Sequence, residues 1–291
     1  MTAPVVRSTR RGAGAWFACF LSACSSEVSV QILPGDNASA AGQDGGCASD
    51  VACSGQTWAL AFVGPYDRVE IPSSPWLDLP QDFTIEAWVL IDSYSGGHGV
   101  FNRWLSTVGD IELTFGTPEI LSRAELPIDE PVPSHTLATW GFVRPGLWIT
   151  TYTSMRPAAG VWHHLASSYG AGALKLYVDG ARWATARGTD RIANPDAPLF
   201  IGATSRTEQP IDPTLGERWW PPIQGFIAEV RMSSRDRYPT EFVPEHRLSV
   251  DPDTIALWHL DEGIGSAASE SGPNHLNGTI VGATWVRAPS P

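Results

Sequence analysis

Lysine is almost absent from this 291-residue sequence, which has one lysine (Lys175), three methionines and four cysteines. Lysine and arginine together number 19 against 31 acidic residues, so the formal net charge is −12. A surface this acidic repels phosphate backbones, which argues against a nucleic-acid partner. The apolar run at residues 12–23 is too short to span a bilayer, so we expect no membrane contact other than a lipid anchor.

The residues that are abundant favour strands joined by turns. Tryptophan occurs 13 times, glycine 28 times and proline 24 times. Aromatic residues are typical of strands, whereas glycine and proline interrupt helices. The chain is 43% hydrophobic, and one β-sandwich of roughly 200 to 250 residues would use most of its length. The composition therefore predicts one all-β domain.

The N-terminal region has the features of an export signal in the usual order. Three arginines precede the apolar run, which closes on LSAC at residues 21–24. This closing motif resembles the bacterial lipobox, whose cysteine is acylated after cleavage. We expect residues 1–23 to be a lipoprotein signal peptide and Cys24 to carry the lipid. A plain signal peptide with an incidental cysteine is the alternative.

The lipobox implies an exported protein that is lipid-anchored to the cell envelope. Ser25 stands where an inner-membrane retention signal would have aspartate, which favours the outer membrane or the cell surface. Residues 24–55 are rich in Ser, Ala, Gly and Asp without apolar periodicity, so we expect a disordered tether. Within it, Cys47 and Cys53 predict a small disulfide loop, with free thiols as the alternative.

Residues 56–291 alternate apolar with polar residues in short runs bounded by turn residues, which is the pattern of a strand meander. The runs predict strands at residues 58–63, 68–71, 83–91, 99–104, 110–115, 137–143, 147–152, 162–169, 173–178, 182–187, 199–203, 225–232, 255–260 and 279–286. The run at 83–91 is apolar on both faces, which predicts a central strand. Asp179-Gly180 predicts a tight hairpin between two of the runs.

Several stretches resemble the laminin G-like jelly-roll domains of the concanavalin A-like lectin/glucanase superfamily. Together with the lipobox, they resemble a bacterial lipoprotein that carries such a domain. They are AFVGPYDRVEIP (61–72), FTIEAWV (83–89), GVWHHLA (160–166), LKLYVDG (174–180), FIGA (200–203) and GFIAEVRM (225–232). The resemblance implies an all-β, two-sheet antiparallel jelly-roll sandwich, concanavalin A-like, over residues 56–291. WHLDEG (258–263), SGPN (271–274) and GTIV (278–281) extend it, and we expect these last strands to close the sandwich beside its first strand.

Catalytic chemistry is not legible in the sequence. Glucanases of this superfamily carry Glu-x-Asp-x-Glu on one strand, and the nearest approach here is VGDIE at residues 108–112, with Val108 at the first carboxylate position. We therefore predict no enzyme activity. A diverged glycoside hydrolase or polysaccharide lyase of the same fold is the alternative.

The resemblance also implies a structural calcium site. Asp67, Asp261 and Glu262 match acidic family positions, and Asn274 offers a further oxygen. Capping of turns by the same side chains is the alternative. The neighbouring His163 and His164 point to opposite faces of a strand, so we expect packing or hydrogen bonding rather than a shared metal.

The candidate ligand-binding surface is the connection at residues 205–224. It carries the aromatic and charged residues that suit a sugar: Arg206, Glu217, Arg218, Trp219 and Trp220. The alternative is that both tryptophans fold back and cap the sandwich. The sequence thus predicts a non-catalytic surface recognition module that binds a glycan or an extracellular protein.

Overall fold

Strands form where apolar and polar residues alternate, and they pair into two antiparallel sheets. The computed structural model describes residues 56–94, 98–105, 108–116, 136–144, 147–153, 155–187, 196–203, 223–289 and 291. Within these ranges the chain has sixteen strands, a 3-10 helix at Pro75–Leu77 and no α-helix. The prediction of an all-β, two-sheet antiparallel sandwich is confirmed.

Sheet A contains eight strands from both halves of the domain. They are β1 (Gln56–Phe62), β3 (Phe83–Ile91), β8 (Trp162–Gly170), β9 (Ala173–Val178), β10 (Ala181–Arg187), β12 (Gly225–Ser233), β13 (Thr254–Trp258) and β16 (Thr284–Pro289). Their spatial order is β10-β9-β8-β3-β12-β1-β16, and β13 also pairs with β12. The predicted pairing of the last strand with the first is confirmed, because β16 lies antiparallel to β1.

Sheet B contains the other eight strands. They are β2 (Arg68–Ile71), β4 (His98–Leu105), β5 (Val108–Gly116), β6 (Thr136–Arg144), β7 (Leu147–Tyr152), β11 (Leu199–Ile201), β14 (Ala267–Ala268) and β15 (Gly278–Val281). Their spatial order is β14-β15-β2-β11-β4-β5-β6-β7. For most of β5, β6 and β7 the description is of the backbone.

The core lies between the two sheets and takes alternate residues from each strand. From β3, Ile85 and Val89 enter it, while Glu86 and Trp88 face the other way. From sheet B, Ile201 and Phe101 enter it at paired positions. Each sheet therefore has an inner face in the core and an outer face directed away from it.

The Asp179-Gly180 hairpin has the geometry that the sequence predicts. Val178 pairs with Ala181 across it, and both turn residues have positive φ, 52° and 77°. A turn of this handedness matches the twist of the flanking strands and favours Asp-Gly.

One predicted strand is in fact two strands in different sheets. The alternation at residues 279–286 predicts a single strand, but the chain turns at Gly282, whose φ is 75°. The residues before the turn form β15 in sheet B and those after it form β16 in sheet A.

Among the described residues, no helix is long and apolar enough to span a membrane.

Candidate functional site

The outer face of sheet A holds a buried charged cluster centred on Glu86, which has no solvent exposure. One carboxylate oxygen lies 3.0 Å from His164 Nε2 and accepts a 2.6 Å hydrogen bond from the Tyr238 hydroxyl. The other accepts a 2.8 Å hydrogen bond from Arg231 Nε. We call these four residues the Glu86 cluster.

Electrostatics favour the ionised form of Glu86. Burial alone would raise the pKa of its carboxyl, but the hydrogen bond with His164, the charge of Arg231 and the Tyr238 hydroxyl together lower it to about 2. Burial and the adjacent Glu86 raise the pKa of the Tyr238 hydroxyl, which therefore stays a donor. The cluster is a paired charge network in a dry environment.

Residues 234–253, which we call the strap, run over this face without forming a strand. Trp88 Nε1 donates to Glu245 O at 2.9 Å, and Phe242 N donates to Gly180 O at 3.1 Å. Lys175 pairs with Asp236 and also donates to Tyr238 O. The strap therefore attaches to sheet A at several points along its length.

The strap also has internal and peripheral anchors. Arg237 makes a two-point contact with Asp251, at 2.7 and 2.6 Å, and these bonds hold the pKa of the Asp251 carboxyl well below its usual range. Buried Glu229 lies 3.0 Å from His259 Nδ1 and accepts a hydrogen bond from Leu248 N. The outer face of sheet A is thus occupied by the chain itself.

The outer face of sheet B is built differently. Strand register aligns Glu70 with Phe200, Phe200 with Asn102, and Asn102 with Glu112. Register then aligns Glu112 with Trp140 and Trp140 with Thr150, and Phe142 with Trp148 one step along. Paired positions lie on the same face of a sheet, so these register positions form a row across sheet B. We call this the sheet B row.

Asn102 at the middle of the sheet B row has an unsatisfied polar atom. Its side chain is 1% exposed, and its Oδ1 has no hydrogen-bond partner in the part of the chain that the structure describes. Buried acceptors in folded proteins almost always have a donor. Asn102 Oδ1 can therefore accept a hydrogen bond from a hydroxyl or amide group that lies outside the described residues.

The predicted ligand residues Arg206, Glu217, Arg218, Trp219 and Trp220 lie outside the described residues. The chain leaves for this segment and returns from it at one place, because Ile223 N donates to Gly202 O at 2.9 Å. Beside this point Asp92 N donates to Gln224 O at 2.8 Å, at the end of β3. The segment therefore starts and ends at one end of the sandwich.

The predicted calcium residues make separate local contacts. Asp67 accepts hydrogen bonds from Val63 N at 2.9 Å and Gly64 N at 2.7 Å, which caps the turn between β1 and β2. Asp261 pairs with Arg247, Glu262 accepts from Ser269 N, and Asn274 Nδ2 donates to Ile255 O. Among the described residues, no group of three or more His, Cys, Asp or Glu side chains could hold a metal ion. Calcium binding stays a prediction.

The two neighbouring histidines make different contacts on opposite faces of β8. His163 lies 2.7 Å from Asp179 Oδ2 and 3.1 Å from Ala158 O, whereas His164 belongs to the Glu86 cluster. The expectation that one of them is packed or hydrogen-bonded is confirmed by His164, which is wholly buried. Cys24, Cys47 and Cys53 lie outside the described residues.

Sequence reasoning missed the Glu86 cluster. Its members come from the stretches at 83–89, 160–166 and 225–232, and the strap adds Tyr238. The available signal was a charged residue at a strand centre with apolar neighbours on both sides, as at Glu86 in TIEAW. Such a residue, once buried, needs an opposite charge.

A model of the Concanavalin A-like lectin/glucanases superfamily, of the laminin G type, matches residues 63–241. No curated protein matches the sequence. Among solved structures, a candidate carbohydrate binding protein from Bacteroides ovatus is 18% identical with a TM-score of 0.53. The match covers 79% of this chain and 59% of that protein, so the chain spans less than two thirds of its length.

Two further structures are more distant. The native heptameric SAP-like pentraxin from Limulus polyphemus is 11% identical, with a TM-score of 0.42 over 62% of this chain and 77% of the pentraxin. Domains LG4-5 of the mouse laminin alpha1 chain are 13% identical, with a TM-score of 0.39 over 70% of this chain and 50% of the laminin fragment.

Proposed function

Because the chain belongs to the Concanavalin A-like lectin/glucanases superfamily, we propose that it is a non-catalytic recognition protein that binds carbohydrate on the outer face of sheet B. The observation that carries the proposal is the sheet B row, in which register aligns Asn102 with Glu112 and Glu112 with Trp140. Aromatic rings stack on the C–H faces of sugars, and carboxylate or amide oxygens accept hydroxyl hydrogen bonds.

The two outer faces differ in hydrogen bonding rather than in exposure, because Phe200 and Asn102 of the sheet B row are also 1% exposed. Asn102 Oδ1 has no partner among the described residues, whereas Glu86 is paired with Arg231. Glu86, Trp88 and His164 on the outer face of sheet A are at most 6% exposed, because the strap covers them. A ligand there would have to displace the strap and leave buried charges unpaired, which is costly. The description of the Bacteroides ovatus protein as a candidate carbohydrate binding protein agrees with the proposal.

The test is binding to a panel of polysaccharides and hexasaccharides by pull-down and calorimetry. We expect Trp140→Ala and Glu112→Gln to abolish or strongly weaken binding while the fold, measured by circular dichroism, is kept. Val243→Ala is the matched control, since Val243 lies on the strap with 91% exposure. Its binding should equal that of the wild type.

The same panel separates this site from the connection that the sequence singles out. If Trp219→Ala and Trp220→Ala abolish binding and Trp140→Ala does not, the ligand lies at the connection and the sheet B assignment is wrong. If no glycan binds and cross-linking recovers a specific extracellular protein, carbohydrate recognition itself is wrong.

A diverged glycoside hydrolase or polysaccharide lyase is the second candidate, favoured by one observation. Asp110 and Glu112 are two residues apart on β5, which is the Asp-x-Glu spacing within the Glu-x-Asp-x-Glu strand of glucanases of this superfamily. The assay is release of reducing ends or unsaturated products from the same panel. Activity that Glu112→Gln removes would replace the binding proposal with an enzymatic one.

The proposal also includes attachment to the cell envelope through Cys24 and a disulfide between Cys47 and Cys53. Metabolic labelling with an alkyne fatty acid should mark the wild type and not Cys24→Ser. A non-reducing peptide map should show residues 47 and 53 joined. Unlabelled wild-type protein or free thiols would remove these parts of the proposal without affecting the binding site.

A structural calcium ion is the last part of the proposal. The supporting feature is the buried Glu262 Oε2, which has no hydrogen-bond partner in the described part of the chain. Thermal unfolding in calcium should then occur at a higher temperature than in chelator, and Glu262→Gln should remove the difference. Equal unfolding temperatures would leave turn capping as the role of Asp67 and Glu262.

A further inference from the structure

Trp76 is presented to solvent in a way that its neighbours are not. It lies in the 3-10 helix between β2 and β3 and is 64% exposed, whereas the adjacent Leu77 is wholly buried in the core. Among the tryptophans whose side chains the structure describes, Trp76 alone is exposed. Leaving so large an apolar ring in water forgoes the free energy that its burial would contribute.

The backbone that carries Trp76 is held on both sides. Arg103, which is 1% exposed, donates from Nη1 to Leu77 O at 2.8 Å and from Nη2 to Asp78 Oδ1 at 3.0 Å. The same guanidinium donates from Nε to Ala197 O at 3.3 Å. The Ser74 hydroxyl accepts from Trp76 N at 3.3 Å, which caps the helix. The backbone that carries the Trp76 ring is therefore held by hydrogen bonds on both sides of it.

Two carboxylates are linked to the residues around this short helix. Asp78 follows it by two residues and keeps 44% of its side chain exposed while bonded to Arg103. Ser73 precedes it by three residues and donates to the carboxylate of Asp196, an exposed residue that leads into β11. An exposed aromatic ring, together with exposed carboxylates that are bonded to the residues around the same short helix, offers a stacking face and acceptors for hydroxyl donors.

We propose that Trp76 is a second carbohydrate-contact site, which takes one pyranose ring of a longer glycan, with Asp78 and Asp196 as hydroxyl acceptors. This inference rests on the proposed carbohydrate recognition but uses a different surface. Trp76 belongs to the β2–β3 connection at the end of the sandwich and is not part of the sheet B row. Because Arg103 already holds the backbone of the helix, stacking of the ring restricts only the side-chain torsions of Trp76.

The test compares hexasaccharides of glucose, xylose and mannose with their disaccharides by calorimetry. For a hexasaccharide that binds the wild type, Trp76→Ala should weaken binding roughly 3- to 10-fold, and Trp76→Phe should keep most of the affinity. The unfolding temperature should not change, because the ring is exposed. Ile264→Ala, at an apolar residue with 81% exposure elsewhere, is the control and should bind as the wild type does.

A second measurement needs no variant. Hydroxyl-radical oxidation of Trp76, read by mass spectrometry, should fall several-fold when the hexasaccharide is bound. If the hexasaccharide binds while Trp76→Ala affinity and Trp76 oxidation are both unchanged, the second site is wrong and the proposed function stands. If nothing in the panel binds the wild type, the proposed function is wrong and this site with it.

Discussion

The outer faces of the two sheets are made by the same alternation of residues, but they differ in what covers them. On sheet A, Glu86 and His164 point away from the core and are nonetheless wholly buried, because the strap returns over them and supplies Tyr238. On sheet B, the register positions of the sheet B row lie on the side away from Phe101 and Ile201 of the core. One face is closed by ion pairs within the chain, and the other is the face on which we propose that carbohydrate binds.

This difference shows which part of a family resemblance concerns structure. Glu86, His164 and Arg231 come from three of the stretches that resemble laminin G-like domains. All three belong to the cluster that contacts Tyr238 of the strap. The sheet B row takes Glu112 and Trp140 from stretches that carry no such resemblance. The resemblance therefore covers the fold, the closed face and only two positions of the sheet B row, Glu70 and Phe200, and the rest of that row is located by strand register.

The largest expected effect is loss of the charge at the centre of the closed face. Glu86→Gln should lower the free energy of unfolding by about 3 kcal/mol, because it leaves Arg231 buried without a counter-charge. Urea denaturation at pH 7 measures the loss. The matched control is Glu245→Gln, since Glu245 lies 4.0 Å from the same guanidinium but is 57% exposed. Its cost should stay below about 1 kcal/mol, and equal costs would contradict the closed-face account.

A pH titration of stability sharpens the same point. The pKa of Glu86 falls from 4.5 to about 2 on folding, so its contribution is complete above pH 4.5 and is lost as the pH falls towards 2. The unfolding free energies of wild type and Glu86→Gln should therefore converge over this range, closing a gap of about 3 kcal/mol. A gap that stays constant between pH 6 and pH 3 would show that folding does not lower the pKa of Glu86.

Opening of the strap can be followed at the single lysine of the chain. Lys175 is 5% exposed and pairs with Asp236 in the strap, so acylation of its amine by an N-hydroxysuccinimide ester reports strap opening. Asp236→Ala should increase the labelling rate about tenfold, which corresponds to roughly 1.4 kcal/mol. The control is Asp253→Asn, which breaks the exposed pair with Arg235 and should leave the rate within about twofold. Rapid labelling of the wild type would contradict a closed face.

The smallest effect is expected on the outside of the strap. Val243→Ser exchanges a side chain that is 91% exposed, so stability should change by less than about 0.5 kcal/mol. The same denaturation experiment measures it. A larger loss would mean that this side of the strap is itself covered by something, and the strap would then be an interface rather than a cover.

Local patterns were enough to predict most of the fold. The strands at 68–71, 83–91, 147–152 and 173–178 have the predicted bounds, because their alternation ends at turn residues. Alternation failed where a backbone conformation ended a strand without interrupting the apolar pattern. β13 ends at Trp258, because Leu260 has a φ of 50°. β11 ends at Ile201, because Gly202 has a φ of 84° and lies close to the Phe62 ring.

The candidate sites were less accessible to sequence reasoning because they depend on contacts between distant residues. Glu86 and Arg231 are 145 positions apart, and their pairing needs the β3–β12 register. The alignment of Asn102 with Glu112 and Trp140 likewise follows from register across three strands. Trp76 could not be distinguished from the core tryptophans, since its exposure depends on where Arg103 fixes the short helix.

Amide hydrogen exchange with and without a bound hexasaccharide tests the central claim most directly, because it reports on both outer faces in one experiment. The account predicts slower exchange in β4 to β7 when the sugar binds, with no change in the strap or in β8 and β9. Protection of the strap instead, with β4 to β7 unaffected, would contradict the claim that sheet A is closed and sheet B carries the ligand.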